Sequence, residues 1–271
     1  MRLTMFAATM LLLFSACQKD LSLNEQNLNA ESVSADAIAA GEFSNCKLRR
    51  IVHGDAANPE ILVNGLFTYN AAGNPISLTY GSQTGSANPN HYFFYDNKNR
   101  LREWRQAYTP NDPVEAVWHR YGYNSNDVII VDTIVIPGFQ MEDGTIIPDQ
   151  IRSISILTYD NQGRIVKEEV RRSGRPTRYP TYTYDVRGNL GVLGWKSSSY
   201  DNKVSIFRAH PVFQFIHRNY SKNNAAPQAK YNSKGLPLSM NPANDTFLNV
   251  YVSNQGGTFV GSIYKAIYDC Q

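Results

Sequence analysis

The side chains able to do chemistry in this chain are few and scattered. Cysteines stand at 17, 46 and 270, and histidines at 53, 91, 119, 210 and 217. No CxxC, HxH or HExxH spacing gathers them on one face of a helix or strand, so no metal centre is expected. His210 and His217 would share a helix face, but a structural helix packing its aromatics inward accounts for both. Glu142, Asp143 and Asp149 offer the oxygen ligands that calcium takes, yet they read more simply as an acidic, solvated loop with Asp143-Gly144 at a hairpin tip. No GxSxG elbow occurs, and Gly191, Gly194, Gly256 and Gly257 match no strand-to-helix phosphate loop. The expectation is therefore a protein that is not an enzyme and carries no cofactor.

Cys17 is the one residue whose surroundings assign it a reaction. Arg2, the apolar run from Met5 to Phe14 and the small residues Ser15-Ala16 precede it, in the order of a charged start, a short hydrophobic core and a cleavage site. The run is too short for a bilayer that needs about twenty apolar residues. Residues 1–16 thus read as a signal peptide, and the Cys17 thiol as the acceptor of a lipid thioether. The segment resembles the signals of bacterial lipoproteins, and Gln18-Lys19-Asp20 is similar to the acidic surface-export signal of Bacteroidota lipoproteins, with only its first acidic residue present. That resemblance implies an outer-membrane, lipid-anchored protein facing the cell surface. Several acyl chains, at about 0.8 kcal/mol per buried methylene, anchor firmly where one chain would not.

Residues 17–45 are rich in Ser, Asn, Ala, Glu and Asp and read as a flexible tether, spanning on the order of 30 Å as a coil. The remainder, residues 46–271, reads as a single β domain. Of the 271 residues 12% are aromatic, 17 of them Tyr, only 18% are charged, and the net charge is +3, which excludes a polybasic nucleic-acid binder. With Cys17 acylated, Cys46 and Cys270 remain, and in an oxidising compartment two remaining cysteines tend to pair. The alternative is two reduced thiols packed at strand ends.

One phrase recurs through the domain: Tyr, then Asp or Asn, two variable residues, Gly or Asn, a polar residue and an aliphatic strand. It occurs at Tyr69-Asn70, Tyr95-Asp96, Tyr123-Asn124, Tyr159-Asp160, Tyr184-Asp185 and Tyr231-Asn232, with a truncated copy at Tyr200-Asp201. The first five Tyr positions are 26, 28, 36 and 25 residues apart, and about 26 residues is two strands plus two turns. The Asp or Asn side chain starts a turn by accepting a backbone hydrogen bond two residues on. Gly163 and Gly188, like Asn99, take the left-handed conformation that closes it. Asp96, Asp160 and Asp185 are thus turn formers, not catalysts, and each Tyr sits at a strand end with its hydroxyl wet.

YDNQGRI and YDVRGNL resemble the YD repeats of Rhs-type proteins. A lipobox, a tether and a few degenerate hairpins of this kind resemble a group of Bacteroidota lipoproteins whose domain of unknown function is described as porin-like in fold. Tyr200-Asp201-Asn202-Lys203 followed by Ser221-Lys222-Asn223-Asn224 is especially similar to that group. Full Rhs proteins wind many such repeats into a shell around a toxin; the copies here are few, and no further domain is expected after Cys270, so toxin delivery is not expected.

Alternating segments at 61–69, 92–95, 101–108, 128–136, 151–159, 165–171, 178–184 and 247–252 predict strands, joined as an antiparallel meander of hairpins into a long curved or barrel-like sheet. His210-Pro211-Val212-Phe213-Gln214-Phe215-Ile216-His217 predicts a short helical plug, with Pro211 at its first position. Two functions fit this all-β expectation. One is a surface binding module, its partner a glycan stacking on Trp104, Trp118 and Trp195, although most such rings would form the sheet's hydrophobic face. The other is a structural or assembly component of the cell envelope, binding an outer-membrane protein through an edge strand. In cells fed a labelled fatty acid, the label should enter the chain and be lost on Cys17→Ala, with release from the membrane fraction; a variant still labelled would overturn the lipobox reading.

Overall fold

The computed structural model describes residues 46–55, 63–84, 89–113, 116–191, 200–225, 230–239 and 262–270. The signal peptide, Cys17, the tether, Trp195 and the strand expected at 247–252 lie outside the described residues.

The strands are β1 (Cys46–Asp55), β2 (Val63–Tyr69), β3 (Pro75–Thr79), β4 (Asn90–Tyr95), β5 (Leu101–Ala107), β6 (Val117–Tyr123), β7 (Ile129–Ile136), β8 (Phe139–Gln140), β9 (Ile146–Ile147), β10 (Gln150–Tyr159), β11 (Ile165–Arg172), β12 (Arg175–Arg178), β13 (Thr183–Tyr184), β14 (Leu190–Gly191), β15 (Lys230–Tyr231), β16 (Pro237–Ser239) and β17 (Ser262–Cys270). Thirteen of them form one antiparallel sheet in the order β12-β11-β10-β7-β6-β5-β4-β3-β2-β1-β17-β16-β15, while β8–β9 and β13–β14 are separate two-stranded pairs. The expected meander therefore holds from β1 to β12, interrupted by the β8–β9 excursion. β17 returns to lie against β1, so strands far apart in sequence become neighbours. Their register runs from Cys46 opposite Cys270 to Asp55 opposite Ser262, and the two cysteines are joined by a disulfide. Closing a loop with a sequence separation of 224 removes chain entropy worth at most ~5 kcal/mol.

Three expectations needed correction. The segment 178–184 is not one strand: Pro180 ends it, and only Thr183–Tyr184 pairs with β14. β3 and β6 were not foreseen, because β3 begins at Pro75, a residue tolerated only at such a first position, and β6 (VWHRYGY) lacks apolar alternation. The Tyr hydroxyls, finally, are not simply wet.

Each recurrent phrase folds into the same turn. Asp160 Oδ1 accepts from the backbone N–H of Gln162 at 2.9 Å and of Arg164 at 3.0 Å, and the Gly163 N–H donates to the Asp160 carbonyl. Asp96, Asn124, Asp185 and Asn232 accept from the same two positions of their own turns. The fifth residue of the phrase is left-handed throughout: Gly163 at φ +71°, Gly188 at +84°, Asn99 at +62° and Asp127 at +57°. Backbone donors from Asn189, with a smaller share from Arg187, hold the Asp185 carboxyl below the usual carboxylate range.

A second device ties the turns to one another. In most phrases the Tyr donates its hydroxyl to the carbonyl of the first strand residue after the neighbouring turn: Tyr95 to Pro75 at 2.8 Å, Tyr123 to Leu101 at 2.7 Å, Tyr159 to Ile129 at 2.7 Å, Tyr184 to Ile165 at 3.4 Å and Tyr200 to Leu190 at 2.6 Å, while Tyr69 meets the Leu48 carbonyl and Tyr231 the Asp201 carboxylate. Burial raises the pKa of Tyr95, Tyr123 and Tyr159 far above the ordinary tyrosine value. Arg100 and Arg164 pair with the Asp of their own turns and lie over the next Tyr ring, 4.4 Å from Tyr123 and 4.1 Å from Tyr184.

All these turns fall on one rim, and there the chain closes although the sheet does not. Past β14, Lys222 N–H donates to Gly188 O, Asp201 bonds Asn224 and Tyr231, Val204 N–H donates to Gly235 O, and Asn232 reaches the Cys46 and Cys270 sulfurs. The 200–203 and 221–224 segments, joined through Asp201, Asn223 and Asn224, thus form part of the link that closes the rim. Replacing Gly163 with Val forces a β-branched residue into a left-handed position, a strain of about 1–3 kcal/mol; thermal unfolding should show a Tm several degrees lower, and an unchanged Tm would refute this account of the turn.

Candidate functional site

Among the described residues the sheet's inner face has no second large sheet to bury it. It is covered by a 3-10 turn, Ile206–Ala209, and by helix α1 (Pro211–His217). The local reasons are legible. Ser205 accepts from Phe207 N–H and caps the first element, the His210 ring accepts from Val212 N–H and caps α1, and Pro211 occupies the first turn, where a missing N–H costs nothing. Phe213 is fully buried with its ring 5.3 Å from Phe67, and Phe215 meets Tyr121 edge-on at 5.0 Å. The expected plug therefore stands where its aromatics predict.

What locks it is a buried polar chain. Arg218, left-handed at φ +53°, ends α1 and donates to Phe215 O at 2.6 Å, to Asp132 at 2.7 Å and to Glu168 at 3.0 Å. His119 shares Asp132 at 2.9 Å, and Tyr182 donates to Glu168 at 2.6 Å. Asp132 is 5% exposed and Glu168 7%. Burial alone would raise the Asp132 pKa, but His119 and Arg218 outweigh it and hold the carboxyl below its ordinary value. A buried charge set of this kind is strongly coupled: removing one member leaves the others uncompensated, at about 3–5 kcal/mol. The convergence of His119 with two carboxylates has the composition of an acid–base site, but none of these residues lines the cleft described next. Its visible work is to seat the plug.

Between the plug and the rim turns lies a cleft with a cavity volume of about 420 Å³, inside the range of roughly 300–1,000 Å³ typical of small-molecule sites. Tyr95, Tyr123, Tyr159 and Tyr220, all half-buried, join Leu101, Ile129 and Phe215 in its walls, and Arg100, Arg164, Arg208 and Lys222 stand among them. Two polar groups of the plug also line it. Gln214 is only 8% exposed, yet its side-chain amide has no hydrogen-bond partner among the described residues. Burial, with a smaller push from Lys47, drives the His210 pKa down to about 4. Because His210 Nδ1 accepts from Val212 N–H, the neutral ring carries its proton on Nε2, which also lacks a protein partner among the described residues. The cleft thus offers an amide able to donate and accept, a neutral N–H donor, ring walls and cations.

The tryptophans expected to stack a ligand are elsewhere. Trp104 is 4% exposed, sandwiched between His91 at 5.7 Å and His119 at 4.7 Å, with its Nε1–H donating to His91 Nδ1; it is core and has no face to offer. Trp118 is half-buried beneath the guanidinium of Arg105 at 4.1 Å and near that of Arg120 at 5.5 Å. Trp195 lies outside the described residues. Neither Trp104 nor Trp118 lines the cleft; the rings that do are the phrase tyrosines. Asp96, Asp160, Asp185 and Gly188 belong to the rim, and Gly163 and Gly188 border the cleft as well. No group of three or more His, Cys, Asp or Glu side chains placed to hold a metal occurs among the described residues. Asp149 is engaged by Gly138 N–H and Arg120, and Asp143 by Thr145 N–H. Comparison with protein-family models and with curated proteins finds no match for this chain.

Asp132 yields a signed pH dependence. Its folded pKa lies below the ordinary 3.8, so its stabilising contribution is fully present above that value and is lost as pH falls through the folded value. Arg218→Leu should cost about 3–5 kcal/mol at neutral pH, and that penalty should shrink as the pH falls and protonation relieves the stranded Asp132 carboxylate, which burial then favours in its neutral form. Denaturant unfolding across pH checks both; a penalty independent of pH would show that the ion pairs do not seat the plug.

Proposed function

We propose that this chain is a lipid-anchored binding protein of the outer-membrane surface, and that its ligand, a saccharide, sits in the cleft between plug and rim. The observation that carries the reading is the placing of the Gln214 amide: a polar side chain over nine-tenths buried that nonetheless lines the cavity. A carboxamide donates to one hydroxyl and accepts from another, the protonated Nε2 of His210 adds a donor, and Tyr123 and Tyr159 supply apolar ring surface for the faces of a sugar. The anchor and the surface location rest on the Met5 to Cys17 segment and its resemblance to lipoprotein signals; the glycan rests on the cleft rather than on the tryptophans.

The reading of an envelope-assembly component that grips a partner through an edge strand draws on β12, whose four residues are exposed at the margin of the sheet. Pro176 within β12 blunts that edge, which favours the cleft. Full-length protein in detergent should give saturable hits on a glycan array, weakened at least tenfold by Gln214→Leu and unaffected by Trp118→Ala. Hits lost on Trp118→Ala but kept on Gln214→Leu would move the site away from the cleft, and no hit from folded protein would move the weight to an envelope partner.

A further inference from the structure

The rim is one end of the sheet, and the opposite end carries unpaired charge. β11 runs away from the rim and returns as β12 through Ser173-Gly174, with Gly174 left-handed at φ +65°. Arg172 and Arg175 flank that turn directly opposite one another. Arg178 stands opposite Val170 on the same two strands, and Ile154 of β10 pairs with Arg171, so Arg152 comes up beside the same tip. Arg152, Arg172, Arg175 and Arg178 are all exposed, and no carboxylate among the described residues pairs with any of them, whereas Arg171 pairs with Glu169 at 2.7 Å. Like charges set directly opposite on paired strands repel. The hairpin therefore holds Arg172 against Arg175 in an arrangement that a bound anion would relieve.

Two further observations say where that anion comes from. Apolar side chains share this end of the sheet: Phe139, Met141 and Ile146 of the β8–β9 hairpin, with Ile151 beside Arg152, are four of the nine large hydrophobic residues exposed among the described ones. The hairpin leaves the sheet between β7 and β10, at the end where β10 begins. Apolar side chains beside guanidiniums suit a headgroup layer better than a free ion in water, and the exposed Glu142 and Asp143 at the tip of β8–β9 limit the contact to that level. The second observation is where the chain enters. β1 starts at the rim, with Cys46 beside Asn232, and the tether expected at residues 17–45 spans on the order of 30 Å as a coil. β11, eight residues long, spans about 27 Å. The tether can therefore run from the rim past the length of the sheet to a membrane lying against the opposite end.

We propose that this arginine end docks on the phosphate headgroups of the membrane that holds the anchor, and so turns the rim and its cleft outward. The anchor is the lipobox reading, and the docking surface is additional to it. Arginine suits the task because its planar fork matches a phosphate bidentately, which a lysine does not. A lipid and a tether alone leave the domain free to tumble; a second contact at the far end fixes which end meets solvent.

Orientation on vesicles is the test. The full-length protein is labelled with a donor dye at Ser173→Cys, in the arginine turn, or at Asn161→Cys, on the rim, and reconstituted into vesicles that carry an acceptor dye on their headgroups. The introduced thiol is the one open to dye, because Cys46 and Cys270 are joined and Cys17 is acylated on the lipobox reading. An unsubstituted chain that takes dye refutes that reading, and the comparison between the two labelled positions still decides the docking surface. In an equal mixture of phosphatidylcholine and phosphatidylglycerol, energy transfer from position 173 should exceed transfer from position 161 at least twofold. The difference should vanish in phosphatidylcholine alone, and also with Arg172→Gln, Arg175→Gln and Arg178→Gln combined. That triple variant should keep the parent Tm, because all three side chains are exposed. Equal transfer from both positions in the mixture, or a difference that survives either control, overturns the inference. So does calorimetric binding of inorganic phosphate that the three substitutions abolish while vesicle composition leaves the orientation unchanged, since the arginines would then serve a soluble anion.

Discussion

The position of Arg218 is the constraint on which the rest of the molecule depends. A single sheet of thirteen strands has an inner face, and among the described residues no second large sheet covers it. The cover is a helix of seven residues, Pro211–His217, far too short to be stable by itself in water. Its hold on the sheet comes from Phe213 and Phe215 beneath it and from one guanidinium at its end, shared between Asp132 of β7 and Glu168 of β11. These two strands are separated by β10, so the same cation that anchors the helix also fixes how that part of the sheet bends toward it. The cleft exists because the helix is held at this distance and no closer.

The rim supplies the opposite wall, by a different mechanism. Each turn satisfies its own backbone through an Asp or Asn side chain, and each Tyr then hands its hydroxyl to the neighbouring turn. The arrangement is additive, since every phrase contributes one turn and one link. It also explains how the chain encircles the plug although the sheet remains open between β12 and β15. Between β14 and β15 no strand pairing occurs among the described residues, and the link passes through side chains and single backbone bonds at Gly188, Asp201, Val204 and Asn232, ending on the disulfide that fastens β1 to β17. Where a barrel would close by strand pairing, this rim closes by turn chemistry.

Much of this was written plainly in the sequence. The turns were legible because Asp or Asn followed by Gly or Asn at fixed offsets has one mechanical reading, and the plug was legible because Pro211 suits a first helical position and breaks a strand ladder. The tyrosines were half legible: their place at strand ends followed from the phrase, but the carbonyl each would meet lies on another hairpin. Trp104 was misplaced because an indole reads alike whether it faces solvent or core, and only the ring of His119 above it decided the matter. Asp132 and Glu168 carried a faint signal, as charges within the strands IIVDTIVI and IVKEEVRR, yet nothing local names Arg218 as their partner, 86 and 50 residues away.

The sequence by itself determined the class of fold, the repeated turn and the plug, because each depends on neighbours within a few residues, while for Cys46 and Cys270 it left a disulfide and two separate thiols open and the structure joins them. Only the tertiary structure decided that the sheet stays open while its rim closes, that the tyrosines form a ladder, and that the Gln214 amide and the Lys222 ammonium come to stand in one cleft. Those outcomes depend on which carbonyl, carboxylate or empty volume the folded chain brings to a side chain, and that is set by the packing of strands distant in sequence, which no local spacing encodes.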